Sequence, residues 1–252
     1  MQDLHIGIPL LLTFLAGLST GIGSLIPFLI KDLKREYLYF SLGLSAGVMI
    51  YVSFVELLAS AVEEIGFVQA NLAFFGGIVF IMLVDFLVPH EFIEERVAPR
   101  AADKRLLTAG TFTMIGMAIH NFPEGLAVFM SAMGDVRLGV ALAFAIAVHN
   151  IPEGIAVAMP IYYATRSKQK AFWLSLLSGV AEPLGALIGI AVLGPILTPA
   201  VLSLSLAFVA GIMIFISFDE ILPLSYQNQQ GHLSIAGIIA GMLIMALSLA
   251  CL

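Results

Sequence analysis

The hexapeptide His120-Asn121-Phe122-Pro123-Glu124-Gly125 recurs 29 residues later as His149-Asn150-Ile151-Pro152-Glu153-Gly154, and both copies lie inside strongly apolar sequence. On a helix, His and Glu at i and i+4 share a face and Asn stands three residues before Glu, so each copy sets nitrogen and oxygen donors along one stripe. Each copy is half of a metal site. A carboxylate at the centre of a bilayer costs about 2.5–3.5 kcal/mol on insertion scales. Two that face each other cost more unless a proton or a cation neutralises them. Neutral His with carboxylate oxygen suits Zn²⁺ and neighbouring divalent metals, whereas Cu⁺ prefers sulfur. A third acid, Glu182, stands before Pro183 in a later apolar stretch and is expected to enlarge the site.

The elements that carry these groups follow from composition. Of 252 residues, 60% are hydrophobic and 11% charged, with a mean hydropathy of +1.05. Soluble domains carry about a quarter charged residues, so a soluble enzyme or binding module is excluded. A spanning helix needs about 20 apolar residues, and eight such stretches can be cut, at 6–30, 37–60, 70–90, 107–133, 138–163, 171–193, 200–224 and 233–252. The expected fold class is an all-α membrane protein of eight transmembrane helices, one transport domain over residues 1–252. His120 and His149 each fall about 17 Å along their helices from the membrane surface. The short connection Gly134-Asp135-Val136-Arg137 makes those helices antiparallel neighbours, which brings both motifs to one depth. Pro123 and Pro152 lack an N–H, free the carbonyls of Ile119 and Val148, and bend both helices at the motif. The lone Cys251 offers neither a disulfide framework nor a thiolate cluster.

An internal repeat frames the central pair. Ala46 to Glu56 matches Ala210 to Glu220 at a constant offset of 164 residues, helix one matches helix six at an offset of 162, and Gly77 matches Gly241. Basic residues gather in the odd connections (Lys31, Lys34, Arg35; Arg96, Arg100, Lys104, Arg105; Arg166, Lys168, Lys170), with Arg137 alone outside them. The positive-inside rule then makes those connections cytoplasmic and both termini external. Helix one runs inward and helix six outward, so the first and last three helices form inverted repeats around helices four and five, a 3+2+3 arrangement with its substrate site near the midplane. Glu56, near the outer end of helix two, and Glu220, near the inner end of helix seven, become symmetry mates and candidate entrance and exit ligands. Asp85 and Asp219 lie deeper than a solvated face requires. Glu63 and Glu64 with Asp3 and His5, and His90 with Glu91, Glu94 and Glu95, read as ordinary interfacial charge.

These residues resemble the ZIP (Zrt/Irt-like) divalent metal transporter family, in its bacterial ZupT-like branch, over essentially the whole chain. The resemblance implies a binuclear centre: His120, Glu124, His149 and Glu153 form one site, Asn121, Glu124, Asn150, Glu153 and Glu182 the second, and the two glutamates bridge. Two divalent ions would bring four positive charges against three negative; with one ion a proton would balance the remainder, so metal–proton exchange is expected. The implied activity is import of zinc foremost, with iron, manganese, cobalt and cadmium as further substrates, by alternating access with an elevator-like motion of helices one, four, five and six. No catalytic cofactor is expected, and the metal is cargo. The implied location is the bacterial inner membrane, with metal ions and lipid as partners, a homodimer left open, and no nucleic acid. A metal-selective channel is the nearest alternative. An intramembrane metalloenzyme is the more distant one, for the chain has no His-Glu-x-x-His and the full ligand set leaves no open coordination position. The third connection lacks a His-rich segment, holding only His90.

Overall fold

The computed structural model describes residues 6–29, 34–87, 103–189, 191, 198–226 and 231–250. Asp3, His5, Lys31, His90, Glu91, Glu94, Glu95, Arg96, Arg100 and Cys251 lie outside the described residues. The described residues are almost wholly helical and contain no strand. Among the described residues, seven helical stretches are long and apolar enough to cross a membrane: α1 (Gly7–Leu29), α2 (Arg35–Ile65), α3 (Phe67–Leu87), α5 (Val136–Thr165), α6 (Lys168–Ile188), α7 (Pro199–Ser225) and α8 (Gly231–Ala250). The remaining long helix, α4 (Lys104–Gly134), has the length but is not among those seven. It carries Lys104, Arg105, His120, Asn121 and Glu124, so the motif that makes the helix interesting also lowers its hydropathy.

Helix ends are set by local chemistry. Asp103 Oδ1 accepts from the Leu106 amide at 3.2 Å at the start of α4, and Asp135 Oδ1 from the Arg137 amide at 2.7 Å at the start of α5. These satisfy N–H groups that the first turn leaves without a helical acceptor. Asp135 alone separates α4 from α5, which forces the two helices to turn back on one another. Ser167 caps α6 and Thr198 caps α7 in the same manner.

Packing is by small residues, as expected where lipid gives no hydrophobic drive between helices. In α3 the buried positions are Ala70, Phe74, Gly77 and Ile81, and in α8 Ser234, Gly237, Gly241, Met245 and Ser248, each a stripe at spacings of three and four. Phe75, Val79, Leu83 and Phe86 of α3 and Ile239, Leu243 and Leu247 of α8 face outward instead. A Cβ built on Gly47 would meet the Ile238 carbonyl, and one on Gly211 the Phe74 carbonyl; likewise Gly241 abuts Leu44 O and Gly77 abuts Phe208 O. Residues 47 and 211, 74 and 238, 77 and 241, and 44 and 208 all differ by 164. Thus α2 packs on α8 as α7 packs on α3. The other helices, α1, α4, α5 and α6, form a second group in which α1 lies along α5 and α6 along α4. The two groups meet where α2 touches α5 and α7 touches α4, over a buried core that includes Leu42, Met49, Phe112, Met117, Ile161, Ile212 and Met213.

Both α2 and α7 contain a π-helical turn, Ser53–Leu58 and Ser217–Ile221, beginning 164 residues apart. Glu56 sits on the first and Asp219 and Glu220 on the second. A π turn inserts one residue into the helical ladder and re-aims the side chains on it, which is why such turns gather at functional sites.

Candidate metal centre

The two hexapeptides lie on facing helices, and their histidines pair across the interface instead of along it. His120 Nε2 of α4 is 3.0 Å from Glu153 Oε1 of α5, and His149 Nε2 of α5 is 3.4 Å from Glu124 Oε2 of α4. Residues His120, Asn121, Glu124, Asn150, Glu153 and Glu182 are fully buried, and His149 nearly so. Asn121 Nδ2 donates to the Ser178 carbonyl at 3.1 Å and Asn150 Nδ2 to the Ala16 carbonyl at 3.0 Å. Asn150 also donates to Glu182 Oε1. Their amide nitrogens are thus held by α6 and α1, and the oxygens of both asparagines remain without a hydrogen-bond partner.

Several donor atoms are left over. Among the described residues, the buried side-chain atoms without a hydrogen-bond partner include His120 Nδ1, His149 Nδ1, Asn121 Oδ1, Asn150 Oδ1, Glu124 Oε1, Glu153 Oε2 and Glu182 Oε2. Each such atom costs about 1–3 kcal/mol, and more where it is charged. Most buried polar atoms in proteins find a partner. Seven orphans drawn from three side-chain types, on the three helices α4, α5 and α6, form a set of nitrogen and oxygen donors of the kind a divalent cation takes.

A second relation organises the same residues. Thr13 Oγ1 lies 3.4 Å from the Gly125 carbonyl and Ser175 Oγ 3.0 Å from the Gly154 carbonyl. A Cβ on Gly125 would strike Glu182 O and one on Gly154 would strike Thr20 O; Gly185 abuts Phe122 O and Gly23 abuts Ile151 O. Every member of one set maps onto the other by 162 residues between α1 and α6 and by 29 between α4 and α5. These close approaches require glycine, because a Cβ would collide with backbone and could not step aside.

The acids proposed as pathway groups fall into two places. Glu56 is partly buried, with Oε2 unpartnered, and lies within Coulombic reach of His149 and Glu124. Asp85, Asp219 and Glu220 have carboxylate oxygens within 4.8 Å of one another, the one group of three or more His, Cys, Asp or Glu this close among the described residues. Asp219 and Glu220 line a cavity of about 310 Å³ with Arg105, Thr108 and Leu224. Sequence spacing does not join Asp85 to Asp219 and Glu220; their clustering depends on the docking of α3 against α7. The cross-pairing of each His with the other helix's Glu was likewise not evident from i, i+4 spacing.

The family model described as ZIP zinc transporter matches residues 94–249. A zinc transporter ZupT of Chlorobium phaeovibrioides is 52% identical over 99% of this chain and 98% of its own length. The ZupT proteins of Chlorobium luteolum and Streptococcus mutans are 49% and 48% identical, over 95% and 97% of this chain and 96% and 97% of their own lengths.

Proposed function

Because this chain belongs to the ZIP zinc transporter family, we propose, from the site it carries, how it imports divalent metal ions, zinc foremost. It is a multi-pass membrane protein and a transporter, not an enzyme. The observation that carries the mechanistic reading is the group of seven unpartnered buried donor atoms on α4, α5 and α6, with three carboxylates among their parent residues.

In this reading His120, Glu124, His149 and Glu153 hold one ion, and Asn121, Asn150 and Glu182 complete a second around the two shared glutamates. The imidazole nitrogens favour zinc at the first. The second is all oxygen and is less selective. Three carboxylates against two divalent ions leave one positive charge over, so two ions repel slightly and neither is trapped.

The chain crosses the membrane eight times as one domain, α4 included, with inverted repeats α1–α3 and α6–α8 around the central pair and both termini outside. Support comes from the constant offsets of 164 and 162 that relate the glycine contacts on the two sides. Access alternates as the group α1, α4, α5 and α6 shifts against α2, α3, α7 and α8. Glu56 receives ions from outside and hands them to His149 and Glu124; Asp85, Asp219 and Glu220 receive them on the inner side.

Uptake into proteoliposomes, measured for Zn²⁺, Fe²⁺, Mn²⁺, Co²⁺ and Cd²⁺, tests the proposal with Glu153→Ala as the control. Saturable zinc uptake that the substitution abolishes is the expected result. Uptake untouched by Glu153→Ala overturns the site assignment.

A further inference from the structure

Under the relation that pairs α1 with α6, the counterpart of Glu182 is Thr20. Their backbones do the same work: Glu182 O lies against Gly125 and Thr20 O against Gly154. Their side chains start alike as well. A Cβ on Gly17 would lie 3.4 Å from Glu182 Cβ, and one on Gly179 would lie 2.9 Å from Thr20 Cβ. They end differently. The Glu182 carboxylate crosses to the amide of Asn150. Thr20 is 1% exposed, and its Oγ1 has no partner.

A helical threonine ordinarily satisfies its hydroxyl on the carbonyl four residues back. For Thr20 that carbonyl is Ala16 O, which already accepts from Asn150 Nδ2 at 3.0 Å and from Ser19 Oγ at 2.6 Å. As part of α1 the same oxygen also takes the Thr20 main-chain N–H, so its two lone pairs are already shared among three donors. The hydroxyl is therefore left over because the neighbouring asparagine has been oriented by the same atom. Its mapped partner is Asn121, as Asn150 is the partner of Glu182. The threonine oxygen sits two bonds nearer the backbone than a glutamate oxygen, a shortfall of about 2.5 Å, close to the reach of one hydrogen-bonded water.

We propose that Thr20 is a positioning residue of the metal centre: its hydroxyl holds a water beside Asn121, in the place where a fourth carboxylate would stand, and that water completes the shell of the oxygen-bound ion. The inference rests on the two-ion reading given above. It also explains why a pseudo-symmetric site carries three acids: a fourth would balance the four positive charges of two divalent ions and hold the cargo.

The test uses the full-length protein in nanodiscs, with zinc bound measured by equilibrium dialysis and elemental analysis, and zinc uptake measured in proteoliposomes. Thr20→Val, close in shape but without the hydroxyl, should weaken the second zinc about tenfold, as loss of an outer ligand partner does, and leave the first unchanged. Thr20→Ser should restore it. Thr20→Glu should bind two zinc ions more tightly and release them more slowly, lowering turnover. If Thr20→Val fails to fold, Thr20→Ala against Thr20→Ser gives the same comparison. Two zinc ions in the wild type with no change in Thr20→Val overturns this inference alone, as does an equal loss in Val and Ser, which marks a packing role. A wild type that binds a single zinc overturns the two-ion reading and this inference with it.

Discussion

Ser45 of α2 donates its hydroxyl to the carbonyl of Pro152 in α5 at 2.6 Å, and both residues are buried. The bond ties one helix group to the other at the middle of the second hexapeptide. Its counterpart position, 164 residues on, is Val209, which has no hydroxyl, so the tie exists on one side of the pseudo-symmetric pair only. Ser45→Ala leaves a buried carbonyl without that partner and should lower stability by about 0.5–1 kcal/mol. Thermal unfolding in detergent reads this as a drop of a few degrees, and an unchanged midpoint would show that the bond contributes nothing.

Glu182→Gln keeps the shape of the side chain and an oxygen for Asn150 to donate to, while removing one of three buried charges. The fold should hold, and bound zinc should fall from two ions to one at concentrations that saturate the wild type. Equilibrium dialysis decides it; an unaltered stoichiometry contradicts the place given to Glu182.

Gly125→Ala and Gly154→Ala drive a Cβ into the carbonyls of Glu182 and Thr20. Overpacking of this kind costs about 1–3 kcal/mol. Because one of those carbonyls belongs to a proposed ligand, Gly125→Ala should also reduce zinc uptake severalfold. Gly134, with open space around it, is the matched control. Gly134→Ala should melt as the wild type does and transport normally.

Metal binding requires neutral imidazole and ionised carboxylate, so zinc displaces protons on binding. Proton competition for these groups grows as pH falls. Uptake at zinc levels below saturation should therefore decline from about pH 8 to about 5.5. Calorimetric heats that vary with the ionisation enthalpy of the buffer would count the protons released; a flat pH profile would refute the competition.

Much of the candidate site is legible because the bilayer makes polar residues conspicuous. His120, Glu124, His149 and Glu153 announce themselves by type and spacing, and the one-residue connection at Asp135 brings them to one depth. The offset of 164 between α2 and α7 was equally open to reading, since Gly, Met, Ser and Glu repeat together. What stayed hidden depends on contacts between distant segments. The gathering of Asp85 with Asp219 and Glu220 follows from Gly77 and Gly211 seating α3 on α7. The π turns at Ser53 and Ser217 leave no mark on hydrophobic periodicity. Thr20 was within reach, for the offset of 162 that joins α1 to α6 carries Glu182 onto it, but a threonine in an apolar helix draws no notice until its carbonyl four residues back is seen to be occupied.

The exchange of partners between the repeats also sets an order of assembly. The helix that covers Gly43 and Gly47 of α2 is α8, which leaves the ribosome after the other seven. The bundle of α1, α4, α5 and α6 has all its members once residue 188 is made, so it can close while the glycine face of α2 still borders lipid. Synthesis that stops before Gly231 would leave that face bare in the membrane, a seam for quality-control proteases to recognise, in a protein whose central bundle is already built.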